Sequence, residues 1–572
     1  MMKINGFNLK YSAEDLKHKL TEETRQVILI DANHPSYLNL SDGDKKAFGY
    51  LINAAKIMND VALEMDHPLN LTQKQALEVE AANSEYAADA LKLFNFLNGV
   101  AGSNGIDKEP VEIFEGIHIY KGRNFYPTDL TEEEFHQIID KMLDEGKIDE
   151  VKKILSARTM VRRQEDELTA LDYTEYFADE FSEIANELEC AAHFTTDELF
   201  KDFLGWQAQA LLQNNDEMDE LADKHWARMQ DTPLEFTISR ENYDDQMTPT
   251  IFSDKELCAR LEELNIKPVP KDMLGVRVGV VNKEGTKLLL TFKDEMTKLA
   301  SLMPFADTYT QNVGGSKGLK QTMVDADIAA LTGDYALCRG GITLAQNLPN
   351  NDKRSLQHGG GRRNVYHRQV RQSSDKAKTQ KILEHLVSPE LHQYYDEEAD
   401  HLFVIGHENG HSLGPDSSYQ TALGIYQHII EEHKADVISA SMMPQYVKAG
   451  IISEEQLKKI YTTWVVRRLF MTAYPEDKEA HRVADLIEFN YLHDHKAFSF
   501  DEDKKLHIDF AAMEKVTRLL LEDIIKVQLS KSPEYAKEFV DKWTQWGDIL
   551  KYISEYKRSL GVKPYIEIVS SF

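Results

Sequence analysis

The chain has 572 residues, 42% of them hydrophobic and 28% charged, which predicts a folded protein with roughly two to four structural units. Its 96 acidic residues exceed its 66 basic residues, and the formal net charge of −30 argues against a nucleic-acid partner, because phosphate binding depends on clustered Lys and Arg. The three cysteines are widely separated and form no CxxC pair, so a disulfide framework and a cysteine-rich zinc site are both excluded.

Apolar residues form no long run in this chain. The first ten residues lack the continuous apolar segment of a secretory signal, and no stretch approaches the roughly 18 apolar residues of a membrane span. We therefore expect a cytoplasmic protein that does not enter a membrane.

The first part of the chain, residues 10–230, has mostly the pattern of amphipathic helices. In residues 84–97 and 173–189, for example, apolar side chains recur every three to four positions and acidic residues fill the gaps. Strand-like runs are scarce there, so this part is predicted to be helical.

The composition changes at about residue 234. Residues 234–238 alternate, residues 276–281 are rich in β-branched side chains, and residues 340–344 begin with a pair of glycines. These runs predict a small sheet or barrel between about residues 234 and 366. From residue 388 to about residue 551 the pattern is helical again.

The second helical part contains His407-Glu408-Asn409-Gly410-His411. Two histidines four apart reach one zinc ion only from a helix, where they project from one face with the intervening Glu beside the metal-bound water. Ser388-Pro389 provides a cap and a first helical residue, and Gly414-Pro415 provides a stop. These signals predict a helix from Pro389 to just beyond His411.

Asn409 and Gly410 work against this helix, because together they cost roughly 1.5 kcal/mol relative to better helix formers. Zinc binding can supply on the order of 10 kcal/mol, so we expect the helix to survive. The missing side chain of Gly410 would let another backbone or a substrate approach closely.

A second acidic segment, Glu431 to Asp436, begins 20 residues after His411 and has the apolar spacing of a helix. Glu432 and Asp436 share one helix face, so Glu432 can reach the metal while Asp436 holds a ligand imidazole. An acidic, solvated helix face is the alternative interpretation. His428 and His433 are rival ligands that would leave the carboxylates unexplained.

Three histidines further along the chain are not assigned by their pattern. His481 lies on a predicted helix, where a surface or capping role is the ordinary interpretation, and His493 and His495 have the pattern of exposed loop residues. Composition does not indicate which of these three histidines belongs to a functional site.

At this point the sequence resembles the dipeptidyl peptidase III family of zinc metallopeptidases, and in particular the branch that includes the peptidase-like half of certain plant Nudix proteins. Several stretches carry the resemblance, in the family's order: Pro233–Asp245, Gln346–Asn350, His407–His411 with Gly414-Pro415, Glu431–Asp436 and Glu479–Asn490. Their co-occurrence is much more specific than the histidine motif alone.

The resemblance implies a role for each matching residue. It implies His407, His411 and Glu432 as ligands of one zinc ion, with Glu408 as the base that activates water. The remaining matches are Glu431 and Asp436 as partners of the ligands, Tyr243 and His481 as groups that assist at the transition state, and Glu241, Asn347 and Asn350 as residues that hold the N-terminus and backbone of the substrate.

Two departures from the family pattern stand out. Well-known members have one more residue between the zinc histidines, and they have a small or sulfur-bearing residue where this chain has His433. No Nudix box is present, so the sequence does not suggest hydrolysis of nucleoside diphosphates.

The resemblance also implies an architecture. We expect a mostly helical α+β fold with a helical zinc-binding lobe, a second lobe that contains helices and a small sheet or barrel, and an active-site cleft between them. The predicted segments are a helical N-terminal part of the lower lobe (1–233), a β-containing substrate-binding region (234–366), the helical zinc-binding lobe (367–550) and a C-terminal return to the lower lobe (551–572).

The predicted function is that of a zinc exopeptidase that releases dipeptides from the N-termini of short peptides. The partners are then short peptide substrates, with no nucleic acid and no membrane, and the protein is a monomer or a homodimer. The alternatives are a catalytically weak zinc- and peptide-binding regulatory protein and a zinc endopeptidase.

Overall fold

The computed structural model describes residues 2–103, 109–311, 313, 320–336, 345–348, 361–367, 369, 375–471, 473–476, 478–561 and 563–572. The chain folds into two compact units. The first unit comprises Met1–Asn282, Ala326–Leu344 and Lys563–Phe572, and the second comprises Lys283–Asp325 and Ala345–Val562. The fold is mostly helical with small sheets, which confirms the predicted class.

The first unit is built mainly from helices on amphipathic segments. Its α-helices are Ala13–Thr21, Pro35–Leu38, Asp42–Asp66, Asn70–Ala81, Glu85–Leu97, Glu132–Asp144, Ile148–Ile154, Tyr173–Tyr176, Ala178–Phe194, Glu198–Gln213, Asp216–Trp226 and Lys255–Glu263. The helices predicted in residues 84–97 and 173–189 are present, although the second is interrupted at Phe177.

The strands of the first unit are short, except for one antiparallel pair. They are Lys3–Ile4, Phe7–Asn8, Thr24–Ile28, Ala101–Ser103, Pro110–Glu112, Thr159–Gln164, Glu167–Asp172, Leu234–Glu241, Met273–Asn282 and Tyr565–Val569. Leu234–Glu241 pairs with Met273–Asn282 from Leu234 opposite Val280 to Glu241 opposite Met273, so both predicted strands of this region are confirmed. Tyr565–Val569 runs parallel to Thr24–Ile28, which brings the C-terminus back to this unit.

The second unit holds most of the later helices. They are Lys283–Asp294, Met296–Leu302, Lys376–Leu386, Glu397–Gly410, Ser417–Thr421, Gln427–Lys448, Glu454–Arg468, Ala480–Asp494, Phe510–Ser530, Pro533–Trp543 and Asp548–Ser559. Large buried side chains such as Phe403, Tyr446, Trp464 and Phe489 form the core between them. We call Glu397–Gly410 the histidine helix and Gln427–Lys448 the acidic helix.

The strands of the second unit are also few. Ala345–Leu348 is antiparallel to Gly361–Tyr366, and Phe498–Phe500 is antiparallel to Leu506–Ile508. Strand Lys320–Gly333 belongs to both units, and its first part, Lys320–Asp325, runs parallel to Gly361–Tyr366. The sheet expected between residues 234 and 366 is therefore present, although residues 340–344 lie outside the described residues.

The two units divide the chain differently from the four predicted segments. The segments follow composition, whereas the units follow packing. Residues 283–325 and 345–366 thus belong with the histidine and acidic helices, and residues 563–572 belong with the N-terminal helices.

The predicted start of the histidine helix at Ser388-Pro389 is wrong. Pro389–Tyr394 forms a 3-10 helix, and the α-helix begins after Asp396, whose side chain accepts a hydrogen bond from Glu398 N at 3.0 Å. Tertiary contacts hold this break in place: Asp396 N donates to Thr463 Oγ1 at 3.0 Å, and Lys459 binds the Asp396 carboxylate at 2.9 Å. The neighbouring helix therefore determines where the histidine helix begins.

No helix among the described residues is long and apolar enough to cross a bilayer.

Candidate metal centre

The histidine helix and the acidic helix approach each other closely because small residues face each other. A Cβ atom on Gly410 would lie 2.9 Å from the carbonyl oxygen of Ala435, and one on Gly406 would lie 2.3 Å from Ser439 Oγ. Asn409 and Gly410 are both helical, so the dipeptide does not break the helix. The glycines thus bring the faces that carry the histidines and the carboxylates together.

Three side chains on these two helices place ligand atoms around one point. His407 Nε2 and His411 Nε2 lie 3.2 Å apart, and Glu432 Oε2 lies 3.4 Å and 3.6 Å from them. The spacing of one ligand atom from each residue is suitable for a single metal ion. His407 and His411 are one turn apart, and Glu432 enters from the facing helix.

Two carboxylates determine which nitrogen of each histidine faces this point. Asp436 Oδ1 lies 2.7 Å from His407 Nδ1, and Glu431 Oε1 lies 3.1 Å from His411 Nδ1. Because a carboxylate can only accept, each Nδ1 is the donating nitrogen. In the neutral ring Nε2 then carries a lone pair, so two acceptor atoms face each other 3.2 Å apart.

This arrangement fits a cation. The facing Nε2 atoms cannot hydrogen-bond to each other in that state, and neither can donate to Glu432 Oε2, which lies 3.4 Å and 3.6 Å from them. Two imidazoles and one carboxylate form a ligand set suited to zinc that leaves a position open.

The surrounding charges also favour a positive ion. Burial opposes a charge on His407, yet Asp436, Glu432 and Glu408 together raise the pKa of its imidazole well above the usual value. Burial likewise opposes ionisation of Glu432, but His411 and His407 lower the pKa of this carboxyl to about 2. The carboxylate is therefore ionised at neutral pH and available to a metal.

Positive groups also keep the carboxyl of Glu431 ionised. Burial opposes its ionisation, but Lys434 and His411 lower the pKa of the carboxyl to about 2, and Lys434 Nζ lies 2.8 Å from its Oε1 atom. The buried ammonium and the imidazole thus fix the carboxylate that holds His411.

Glu408 follows His407 on the histidine helix and is buried. Its charge acts on Tyr366, where burial first and Glu408 second raise the pKa of the phenol well above its usual value. Glu408 is therefore adjacent to a ligand along the chain, and its charge also acts on the imidazole of His407.

His481 is brought to the same place by the helix Ala480–Asp494. Its Nδ1 atom lies 3.5 Å from Glu432 Oε2, its ring centroid lies 6.2 Å from that of His407, and 62% of its side chain is exposed. Glu479 caps this helix by accepting hydrogen bonds from the backbone of His481 and Arg482. The histidine is thus an exposed neighbour of the ligand group.

Three other histidines considered in the sequence have different partners. His433 is fully buried, with Nδ1 3.2 Å from Glu488 Oε1, and it is not part of the ligand group. His495 Nδ1 contacts the backbone oxygen of Tyr491 at 2.9 Å, and His493 stacks near Phe489.

Tyr243 and Glu241 lie in the first unit. Glu241 ends the strand Leu234–Glu241, and Tyr243 follows in a loop with 66% of its side chain exposed. Arg123 binds the adjacent Asp244 at 2.9 Å, and Asp245 accepts from the backbone of Met247, Thr248 and Lys271. The roles of Tyr243 and Glu241 stay predictions.

Less can be said of the two asparagines. Asn347 lies in strand Ala345–Leu348 opposite Asn364, and its side chain is outside the described part of the structure. Asn350 lies wholly outside the described residues.

Some residues around the centre carried no usable signal in the sequence. Arg468 contacts Asp436, and Ser439 faces Gly406, but neither residue stands in a motif. Lys434 could have been found, because it follows Glu431 by three positions in a predicted helix.

Comparisons with known proteins support the architecture. A structure of DPP III from Caldithrix abyssi matches with a TM-score of 0.78 and 22% sequence identity, covering 97% of this chain and 98% of the other. A structure of dipeptidyl-peptidase III from Corallococcus sp. strain EGB matches with a TM-score of 0.71 and 21% identity, covering 98% and 97%. The chain has the dipeptidyl-peptidase III fold.

This fold agrees with the resemblance found in the sequence, which is confirmed. A curated relative from Arabidopsis thaliana, named Nudix hydrolase 3, is 24% identical over 576 residues, which cover 91% of this chain and 67% of the plant protein. No protein-family model matches the chain. The dipeptidyl-peptidase III fold thus extends over nearly the whole chain.

Proposed function

We propose that this protein is a zinc-dependent exopeptidase that releases dipeptides from the N-termini of short peptides. The observation that carries the proposal is the convergence of His407 Nε2, His411 Nε2 and Glu432 Oε2, with Glu408 as the next residue after His407 on the same helix. A purely structural metal site has no need of an adjacent general base, so the presence of Glu408 favours an enzyme.

His407, His411 and Glu432 would hold the zinc ion, which when bound polarises a carbonyl and lowers the pKa of water. Glu408 would take a proton from the attacking water and pass it to the leaving amine. Tyr243 and His481 would donate hydrogen bonds to the oxygen that becomes negative, a contribution that typically is about 3 to 4 kcal/mol per donor.

An exopeptidase must also bind the free ammonium of its substrate. Glu241 fits this task chemically, because a carboxylate accepts from an ammonium, and the amide oxygens of Asn347 and Asn350 can accept as well. This assignment rests on the sequence resemblance, and it separates a dipeptidyl peptidase from an endopeptidase.

The test is zinc analysis of the purified protein together with assays on dipeptidyl arylamides and on short peptides with free or acetylated N-termini. We expect one zinc per chain, release of dipeptides from free N-termini only, and a loss of about 10²–10⁴-fold in turnover for Glu408→Ala with zinc retained. Stoichiometric zinc without cleavage of any substrate would support a peptide-binding protein instead.

Glu241→Ala distinguishes the two kinds of peptidase. In a dipeptidyl peptidase it should reduce cleavage of peptides with a free N-terminus and leave zinc content unchanged. Equal cleavage of free and acetylated peptides, with no effect of Glu241→Ala, would indicate an endopeptidase.

A further inference from the structure

Arg468 is a buried cation placed behind the candidate metal centre. It is the last residue of the helix Glu454–Arg468, and only 8% of its side chain is exposed. Its guanidinium lies among three carboxylates, which belong to Asp436, Asp485 and Glu488.

The contacts of Arg468 are short and directional. Nη2 lies 2.8 Å from Asp436 Oδ2 and 2.5 Å from Glu488 Oε2, and Nε lies 2.9 Å from the same Glu488 oxygen. Nη2 is also 3.2 Å from Asp485 Oδ1. A guanidinium only donates and a carboxylate only accepts, so the direction of each hydrogen bond is determined.

These bonds continue to the metal ligand. Arg468 occupies Asp436 Oδ2, and the other oxygen, Oδ1, lies 2.7 Å from His407 Nδ1. On the far side, His433 Nδ1 lies 3.2 Å from Glu488 Oε1, and His433 is fully buried. Polar contacts therefore run without a gap from His433 through Glu488, Arg468 and Asp436 to His407.

The three carboxylates have the spacing of a second metal group, because one ligand atom from each of Asp436, Asp485 and Glu488 lies within 4.8 Å of the others. However, the guanidinium of Arg468 already supplies a cation at this position. Its Nε and Nη2 atoms both bind Glu488, and this two-point contact directs Nη2 towards Asp436, which a point charge would do less well.

We propose that Arg468 is a positioning residue for the metal ligand His407. It acts through Asp436, and Glu488 with His433 holds it in place. The inference rests on the proposed function, because the ion whose binding it affects is the zinc of the proposed peptidase. It adds to that function a determinant of metal affinity that touches neither the metal nor the substrate.

The test measures zinc affinity by competition with a chromophoric chelator, using the full chain. Arg468→Met should weaken zinc binding by about 10-fold to 100-fold, the range typical of partners that orient a metal ligand. Arg468→Lys should restore part of the loss, because an ammonium keeps the charge without the fork.

Arg467→Met is the matched control. Arg467 is the preceding residue on the same helix and pairs with Asp400 rather than with Asp436. Its substitution should leave zinc affinity within about twofold, since the carboxylate partner of Arg467 is Asp400 and not one of the carboxylates that contact a ligand imidazole.

A double variant tests the route through Asp436. If Arg468 acts through that carboxylate, Asp436→Asn with Arg468→Met should bind zinc no more weakly than Asp436→Asn alone. The visible spectrum of the cobalt-loaded protein should change in Arg468→Met and not in Arg467→Met, which a role in stability alone would not produce. Should Arg468→Met fail to fold, Glu488→Gln should weaken zinc binding in the same direction.

The outcomes separate the two proposals. A wild-type protein that does not retain stoichiometric zinc would overturn the proposed function. Stoichiometric zinc in the wild type with equal affinities for Arg468→Met and Arg467→Met would overturn only the role of Arg468. Equal losses from Arg468→Met in the wild-type and Asp436→Asn backgrounds would overturn the route through Asp436.

Discussion

The Nδ1 atom of each histidine in the ligand group contacts a carboxylate, and each of these carboxylates contacts a cationic side chain. Asp436 lies between His407 and Arg468, and Glu431 lies between His411 and Lys434. The carboxylates make Nδ1 the donating nitrogen and leave Nε2 free to bind a metal. At this scale, the proposed zinc affinity would depend on groups outside the ligand set.

Glu431→Gln tests this dependence on the side of His411. An amide at this position can turn its NH₂ group towards Nδ1 and no longer requires that nitrogen to donate. We expect zinc affinity to fall by about 10-fold to 100-fold, measured by chelator competition.

The control for this prediction is Glu455→Gln, which removes the same charge from an exposed position on the helix Glu454–Arg468. An unchanged zinc affinity in Glu431→Gln would contradict the assigned role of the carboxylate. Thermal unfolding of the zinc-free variant should be recorded as well, because Lys434 would lose its charged partner.

Helix packing determines the geometry of the centre at the next scale. Gly406 and Gly410 are one turn apart on the histidine helix, and they face Ser439 and Ala435, which are one turn apart on the acidic helix. Ser439 Oγ also donates to the backbone oxygen of Phe403 at 2.6 Å. The helices are thus held at a spacing that larger residues would not permit.

Gly410→Ala should therefore disturb both stability and metal binding. Its Cβ atom would lie 2.9 Å from the backbone oxygen of Ala435, which no side-chain rotation can relieve. Overpacking of this kind typically costs about 1–3 kcal/mol, more than the roughly 1 kcal/mol that Ala gains over Gly in a helix. We expect a lower free energy of unfolding in urea and weaker zinc binding.

Gly49→Ala is the matched substitution. Gly49 lies within the helix Asp42–Asp66, and an added Cβ atom would meet nothing within 4 Å. This variant should be more stable than the wild type by about 0.5–1 kcal/mol. If both variants shifted stability in the same direction, the close approach at Gly410 would not limit the helix spacing.

At the scale of the whole molecule, the candidate metal ligands lie in the second unit, and a buried carboxyl with a raised pKa, Asp334, lies in the first. Asp334 is 8% exposed, and its backbone nitrogen and Cβ atom pack where Gly275 has no side chain. Burial and then the charge of Glu241 raise the pKa of Asp334 to about 8. The stability of the protein is therefore expected to depend on pH through a group remote in sequence from the histidine motif.

The sign of this dependence follows from proton binding. Between about pH 4 and pH 8 the folded protein holds a proton on Asp334 that the unfolded chain releases. The free energy of unfolding therefore falls as the pH rises through this range. Asp334→Asn removes the titration. Its free energy of unfolding minus that of the wild type should increase with pH, by at most about 1.4 kcal/mol per pH unit.

Urea unfolding of both proteins between pH 5 and pH 8 measures this difference. Glu241→Gln should make the fall in stability end at a lower pH, because removing the neighbouring negative charge lowers the pKa of Asp334 in the folded protein. Parallel pH profiles for Asp334→Asn and the wild type would show that the carboxyl is ionised in the folded protein.

Local patterns in the sequence determined the main elements of this protein. The spacing of apolar residues predicted the helices, alternation predicted the strand Leu234–Glu241, and β-branched side chains predicted the strand Met273–Asn282. The four-residue spacing of His407 and His411 places both on one helix face wherever that helix lies, because helix geometry is a local property. The histidine helix and the acidic helix are both present, and the dipeptide Asn409-Gly410 lies inside the histidine helix.

Only the tertiary structure decided how these elements meet. The start of the histidine helix depends on Thr463 and Lys459, and His433 lies outside the ligand group, in contact with Glu488. The approach of His481 depends on a helix that begins 70 residues after Gly410. Each of these outcomes comes from contacts between residues far apart in the chain. Periodicity and capping signals describe neighbours in sequence, so they cannot determine which buried partner a side chain finds.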